Sequence, residues 1–446
     1  MPINNDKGLT ILMPFEAGAG TRRKIAVIGA GISGMGAAYE LGGSHDVTLL
    51  EVEPRLGGHA RTIMAGKNGD QPVDTGFIVF NYANYPNLAR IFAELDVPVV
   101  KSNMSFGASV RGGGLEYGLA SFDAVFAQRR NLMNPKFLGM LRDIMRFNAQ
   151  ASSKAKSHLD LTIGDFLDEL GTGAWFRDYY LMPLSGAIWS TPKERILDFP
   201  AHALIRFFEN HALMNYSGQH QWYTVQGGSI SYVTRMGAAL EQKGVDIRLG
   251  CPVDAVRRLP AGVEVKAHGG EWEVFDEVIM ATHSDVSLRL LSDATEAETK
   301  ALGAIGYQPN EIVLHADPAV MPRKRSVWSS WNYSETPAKR DGQIDMTYWM
   351  NRLQPIPQDD PHFVTLNSTR PIREELIYDQ VTLHHPVYDL AALKAQEDMR
   401  AMNGQNGTWF CGAWMRNGFH EDGLSSAIDV AESIASRGAV PAVAAE

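Results

Sequence analysis

Only two cysteines, Cys251 and Cys411, occur in 446 residues. That excludes a disulfide framework and suits a reducing compartment, where both read as small buried hydrophobes. No apolar run reaches the roughly 20 residues that a bilayer-spanning helix needs. Residues 1–22 lack the charged start, apolar centre and small-residue exit of a secretory leader. The expectation is therefore a cytoplasmic protein, soluble or peripheral on the inner face of the membrane. Positive charge is also scarce: 41 Lys and Arg against 51 Asp and Glu leave a formal charge of −10. This excludes nucleic acid as the main partner. No metal site is expected. Tryptophan is absent from the first 170 residues although the chain carries nine.

Lys24 to Gly58 carries the clearest chemical signal. An apolar run from Ile25 to Ile28 meets Gly29, Gly31 and Gly34 in a G-x-G-x-x-G pattern. A helical stretch follows to about Leu41, then a second apolar run from Val47 to Leu50 ends on Glu51. Strand, tight turn, helix, strand and terminal acid are the parts of a dinucleotide-binding βαβ unit. Gly29 permits the turn, Gly31 lets backbone approach a pyrophosphate, and Gly34 lets helix and strand pack closely. The diphosphate would sit on N–H groups at the positive end of the helix, with Glu51 accepting from a ribose diol.

Beyond Glu51 come Arg55, Gly57, Gly58, His59, Ala60, Arg61 and Thr62. An acid, then Arg, then Gly-Gly resembles the flavin amine oxidase and phytoene desaturase superfamily, where this stretch passes along an FAD. His59 replaces the arginine usual after the glycine pair, and Arg61 is the substitute cation. The resemblance implies further neighbours of the cofactor: Ile32, Ser33, Val52, Asp74 and Gly76 early in the chain, and Val253 beside the adenine. It adds Gly412, Gly423, Leu424, Ser425 and Ala427 late in the chain, where a glycine and a helix N-terminus meet the flavin ring. The fold class implied is α/β: a Rossmann-like FAD-binding domain with an inserted α+β substrate domain. No cysteine matches a covalent-flavin position, so the FAD is expected to be non-covalent.

The expected division is a flexible arm over 1–20, a discontinuous FAD-binding domain over 21–99, 223–300 and 405–438, a substrate-binding domain over 100–222 and 301–404, and a flexible tail over 439–446. In the second domain, the alternating runs between 310 and 370 predict an antiparallel sheet forming one wall of a chamber. Six of the nine tryptophans fall in its sections. Between Arg129 and His158 seven basic residues face the single acid Asp143. On a helical wheel of about 100° per residue, Phe137, Leu138, Met140, Leu141, Ile144, Met145 and Phe147 gather on one side, with Arg142, Asp143 and Arg146 on the other. Such a helix packs on a core or lies on an anionic membrane, so 129–158 is a candidate for peripheral contact.

Three stretches, GFIVFNYANYPNL, GAIWSTP and HHPVYD followed by FCGAWMRNGFHEDG, resemble a narrower bacterial group. Its genes stand beside enzymes that methylate or cyclopropanate fatty-acyl chains, and one branch is linked to desaturating methyl-branched chains on the way to furan fatty acids. The resemblance implies removal of hydride from a fatty-acyl or phospholipid C–H to flavin N5, with Tyr82, His420 and Glu421 as catalytic candidates. Tyr85 and the loop histidines His384 and His385 are weaker ones. Three other readings compete: redox-neutral double-bond isomerisation, a non-catalytic lipid-binding flavoprotein, and amine oxidation. The last is weakened because no lysine matches the one that holds a water near N5 in amine oxidases. Oligomeric state is open.

Overall fold

The computed structural model describes residues 22–156, 160–189, 196–210, 214, 220–335 and 345–438. The expected arm and tail, Ser190 to Pro192 of the GAIWSTP stretch and the last two residues of the 129–158 segment lie outside them. One lobe is built on a five-stranded parallel sheet, in the order Thr408–Phe410, Glu277–Met280, Lys24–Ile28, Asp46–Leu50, Asp246–Arg248. Its central strand alternates: Ile25 and Val27 face one core, Ala26 and Ile28 the other. A strand apolar on both faces must be covered on both. Helices Ile32–Leu41, Ile230–Gln242 and His420–Gly438 cover the first face. The antiparallel sheet Val253–Leu259, Gly262–Ala267, Trp272–Phe275 and the helix Leu390–Met402 cover the second. That last helix falls within 301–404, assigned by sequence to the substrate domain, yet Ala392, Ala395 and Met399 belong to the core under the parallel sheet.

The second lobe centres on a seven-stranded sheet, running Ile377–Val387, Gly306–His315, Phe363–Leu366, Asp345–Trp349, Trp331–Ser334, Phe106–Val110, Leu115–Gly118. All pairings are antiparallel except that of Trp331–Ser334 with Phe106–Val110. Helices pack on it to form a large core rich in Phe, Leu and Met. Helix Ile163–Leu170 begins where Thr162 accepts the backbone N–H of Asp165, a hydroxyl cap for the first turn. The strand Ile377–Val387 carries His384 and His385, which sequence reading put in a loop.

Helix Pro135–Ala155 is amphipathic, but its faces differ from the wheel. Phe137, Met140, Ile144, Phe147, Ala151 and Ala155 are buried, while Leu138 and Met145 are exposed. Asp143 is buried because it accepts the Gly173 N–H and pairs with Arg142 and Arg146. Arg146 also donates to the Gly171 carbonyl, so its half-buried guanidinium is tied to the lobe's surface.

Candidate functional site

One cavity of about 930 Å³ runs from the parallel sheet into the second lobe. Its first part is the dinucleotide cradle. A Cβ on Gly34 would stand 1.7 Å from the Gly29 carbonyl oxygen, so only glycine lets the helix approach its own turn. Gly29 itself has φ +99°, a left-handed conformation that side chains resist. Gly31 is different: a Cβ there meets nothing within 4 Å, so the missing side chain leaves room in the cavity itself. Helix Ile32–Leu41 has no acid in its first turn and no side-chain cap. The N–H groups of that turn lack intrahelical partners and point toward a ligand. This arrangement fits a diphosphate.

Glu51, at the sheet's edge of the cavity, accepts the Ala30 N–H at 2.6 Å and the Glu53 N–H at 2.9 Å. Those bonds fix the carboxylate at the cavity wall, where its remaining lone pairs can take ribose hydroxyls. Val52, Gly57, Gly58 and Val253 line the same end, as do Ile32 and Ser33. Arg55 does not line it. Its guanidinium donates to the carbonyls of Gly58 and Ala60 and so holds the turn in shape, with Ala60 buried behind it. Arg61, expected to replace a missing phosphate cation, is clasped by Asp379 through both nitrogens, at 2.5 and 2.9 Å, across the lobe junction.

Asp74 is a knot between lobes and stands outside the cavity wall. It accepts from Thr62 Oγ1, from the N–H and Oγ of Ser229 and from Gln354 Nε2, and it is fully buried. Burial pushes its carboxyl up to about 6, against the pull of those donors. Gly76 lines the cavity, with room for hydrogen alone beside the His59 carbonyl, 1.9 Å from an added Cβ.

The middle of the cavity holds imidazoles that sequence reading did not assemble. His59 lies 5.6 Å from His283 and 6.0 Å from His385, ring centre to ring centre, and His384 lines the same wall. Burial, first, and the neighbouring rings lower the pKa of His59 and take His283 down to about 4 and His385 to about 3. They are neutral rings beside the glycine turn. The missed signal was His59 standing where the resemblance expects arginine.

Of the three catalytic candidates, the structure brings one to the cavity. His420 lines it, stacks on Phe77 at 4.0 Å and shares a 2.6 Å hydrogen bond with Tyr232 Oη through Nε2. Burial, first, and His59 take its pKa down to about 3, so it is neutral. When Nε2 carries the hydrogen, Nδ1 is an acceptor; the other tautomer reverses the roles. Tyr82 is a correction: it is 53% exposed, packed edge-on against Phe80 and Tyr223, and its neighbour Tyr85 lines the cavity instead. Glu421 is another: its carboxylate turns away to accept the N–H groups of Asn87 and Leu88, capping helix Pro86–Glu94. The C-terminal helix starts at His420, three residues before the glycine that the resemblance placed at its start. Gly412 lines the cavity and donates its N–H to Ser426 Oγ. Gly423, Leu424, Ser425 and Ala427 do not line it: Gly423 and Leu424 pack against Ser33 and Gly36 of the first helix, Ser425 bonds Asn87, and Ala427 is buried in the core.

The far end is an apolar chamber walled by Val79, Ile188, Trp222, Ile312, Trp331, Tyr348, Leu353, Val364, Leu366 and Phe419. The charged carboxylate and guanidinium side chains on the whole cavity wall, among the described residues, are Glu51, Glu53 and Arg289, and no lysine lines it. None of the three belongs to the chamber strands.

Comparison with known proteins agrees with this architecture. Residues 32–352 match the model of the family described as flavin containing amine oxidoreductase. A CLA-producing fatty acid isomerase from P. acnes superposes with a TM-score of 0.64 over 92% of this chain and 98% of its own, at 15% identity. Cyclohexylamine oxidase from Brevibacterium oxydans superposes with the same score over 93% and 99%, also at 15%. At such identity these likenesses establish the fold. An L-amino-acid oxidase of Pseudechis australis is 46% identical over 48 residues, 10% of this chain and 9% of that protein's length.

Proposed function

The chain belongs to the flavin-containing amine oxidoreductase family and is an FAD-dependent oxidoreductase; from that premise we propose that it dehydrogenates a fatty-acyl chain. The observation that carries the reading is the chamber: apolar on every described side and without an acid to hold an ammonium group. Burying an unpaired charge there costs several kcal/mol, by roughly the penalty that pairing would otherwise offset. A hydrocarbon meets no such cost. The narrower resemblance in sequence makes a methyl-branched acyl chain the preferred substrate.

Bound non-covalently, FAD would supply a two-electron acceptor, taking hydride from an acyl C–H. The chain's own residues do the rest. Gly31 and the first helix would hold the diphosphate, Glu51 the ribose, and Gly412 would stand close to the ring. Trp331 and Tyr348, packed edge to face at 5.5 Å, present a rigid wall that positions the hydrocarbon and keeps water out. The neighbouring carbon loses a proton as its C–H partner loses hydride, leaving C=C. His420 is the group assigned to that proton, accepting at Nδ1 in the tautomer that gives Nε2–H to Tyr232. Replacing His420 by Gln should lower kcat by about a hundredfold or more with FAD content unchanged; a parallel loss of FAD would make the residue structural.

Isomerisation is the second reading, favoured by the likeness to the fatty acid isomerase. Anaerobic mixing of the flavin-loaded protein with acyl lipids separates the two. Dehydrogenation leaves the flavin absorbance bleached and a new double bond in the lipid. Isomerisation moves an existing double bond without lasting bleaching, and bleaching by amines alone would overturn both.

A further inference from the structure

Outside the cavity, the mechanism leaves unused a surface of the second lobe that is both basic and apolar, and we propose that it docks the protein on an anionic lipid bilayer. The inference goes beyond the acyl reading and does not rest on it. Sequence reading pointed to 129–158 alone. The structure adds two partners to that segment: the turn at 111–114, between strands Phe106–Val110 and Leu115–Gly118, and the basic run Arg323, Lys324, Arg325.

These pieces are tied together by contacts. The Arg130 guanidinium donates to the Gly114 carbonyl, and Gln128 donates to that of Gly113 at 3.0 Å. Arg323 lies against Gly113, where an added Cβ would be 3.1 Å from its Nε. The backbone N–H groups of Arg323 and Lys324 donate to the buried carboxylate of Glu116, at 2.8 and 3.0 Å. The result is one surface bearing the exposed cations Arg111, Arg130, Arg323 and Lys324, and the helix that follows the 129–133 turn adds exposed Lys136 and Arg142. The acids nearby offset them only in part: Glu116 is spent on backbone, Asp143 is shared between Arg142 and Arg146, Glu335 accepts from Tyr333 Oη, and exposed Asp123 pairs with a further cation, Arg129. All this stands on a chain of net charge −10.

Among the cations large apolar side chains face water: Met133 is 88% exposed, Phe122 68% and Leu132 44%. Phe122 rests on Phe126, which rests on Phe137 of the long helix, so the tip is carried on a rigid stack. Exposed apolar tips ringed by cations suit a headgroup layer over acyl chains: cations meet lipid phosphates while the tips enter the boundary below. A second copy of this chain fits poorly, because a self-complementary contact would set cations against cations. A nucleic-acid backbone would use the cations and leave Leu132 and Met133 in water.

The test is flotation of the full-length, flavin-loaded protein with vesicles of phosphatidylcholine alone and of equal parts phosphatidylcholine and phosphatidylglycerol. The protein should float with the second only, and less as salt rises. Replacing Lys136, Arg142, Arg323 and Lys324 together by Gln should weaken binding roughly a hundredfold or more, at roughly fivefold per cation. Phe122→Ser with Met133→Ser should weaken it at least about tenfold with charge unchanged. Lys300→Gln with Lys394→Gln, elsewhere on the surface, should leave it as it was. Unfolding temperature and flavin content report that each variant is folded. Failure to float with anionic vesicles, equal binding to neutral ones, or wild-type binding by the four-cation variant would overturn the proposal. So would a dimer in sedimentation velocity that the Phe122, Met133 pair of substitutions converts to monomer.

Discussion

The two ends of the cavity are built by different means. At the nucleotide end the work falls on backbone: glycines without Cβ atoms, helix N–H groups, and one carboxylate fixed by two main-chain donors. At the chamber end it falls on side chains from five strands, two helices and two loops, none of which is required by its own backbone conformation. A backbone site tolerates almost no change at a few positions. A side-chain site tolerates change of size but not of charge. The seam between them is polar and tightly bonded, through Asp74 and the Arg61–Asp379 pair.

Breaking the seam should have the largest effect. Asp74→Ala leaves the donors of Thr62, Ser229 and Gln354 buried without an acceptor, and should cost about 3–5 kcal/mol of stability in urea unfolding. Gly31→Ala attacks the nucleotide end alone. Its added Cβ meets no protein atom within 4 Å, so unfolding of the flavin-free protein should be unchanged. FAD affinity should fall by about 1–3 kcal/mol, roughly five- to hundredfold by equilibrium titration.

The histidines between the ends give a pH test of intermediate size. His59, His283, His385 and His420 are held below the ordinary histidine range by burial, with Arg55 and Arg289 adding to the depression and Glu53 and Asp285 opposing it. Unfolded histidines take up protons near pH 6.5, while folded His283, His385 and His420 wait until about 4 or lower and His59 is shifted the same way, so the unfolded state binds more protons in that window. The flavin-free protein should lose stability as pH falls from about 6.5 toward 4. A diphosphate beside these rings raises their pKa, so the gap in unfolding temperature between flavin-loaded and flavin-free protein should widen over the same range. An unchanged gap would place the rings away from the phosphates. The smallest effect is expected from Glu421→Gln, which weakens a helix cap by about 0.3–1 kcal/mol and leaves turnover as it was.

The same contrast explains what sequence alone disclosed. Gly29, Gly31, Gly34 and Glu51 were legible because backbone geometry demands those residue types at those spacings, and the parallel sheet followed from apolar runs around them. Tyr82 and Glu421 were misread because a motif gives the neighbourhood of a residue but not the direction of its side chain. One faces water and the other caps a helix from a distant segment. His283 and His385 join His59 only through pairing of strands far apart in the chain, for which no local pattern exists. The wheel for 137–149 failed at Asp143 because a buried acid bonded to Gly173 depends on a tertiary partner.

The most direct test of a flavin site opening onto an uncharged chamber is a titration of the flavin-loaded protein, without oxygen, with two ligands of equal chain length. One is a saturated acyl chain with a neutral ester end, the other its alkylammonium analogue, and the readout is the flavin absorbance spectrum. The acyl ligand should perturb the flavin at lower concentration, since Trp331, Tyr348, Val364 and Leu366 offer the ammonium ring faces but no carboxylate, and a ring face offsets only part of the cost of its desolvation. Tighter binding of the ammonium would contradict the account, because it would show that the chamber compensates a buried cation without an acid on its wall.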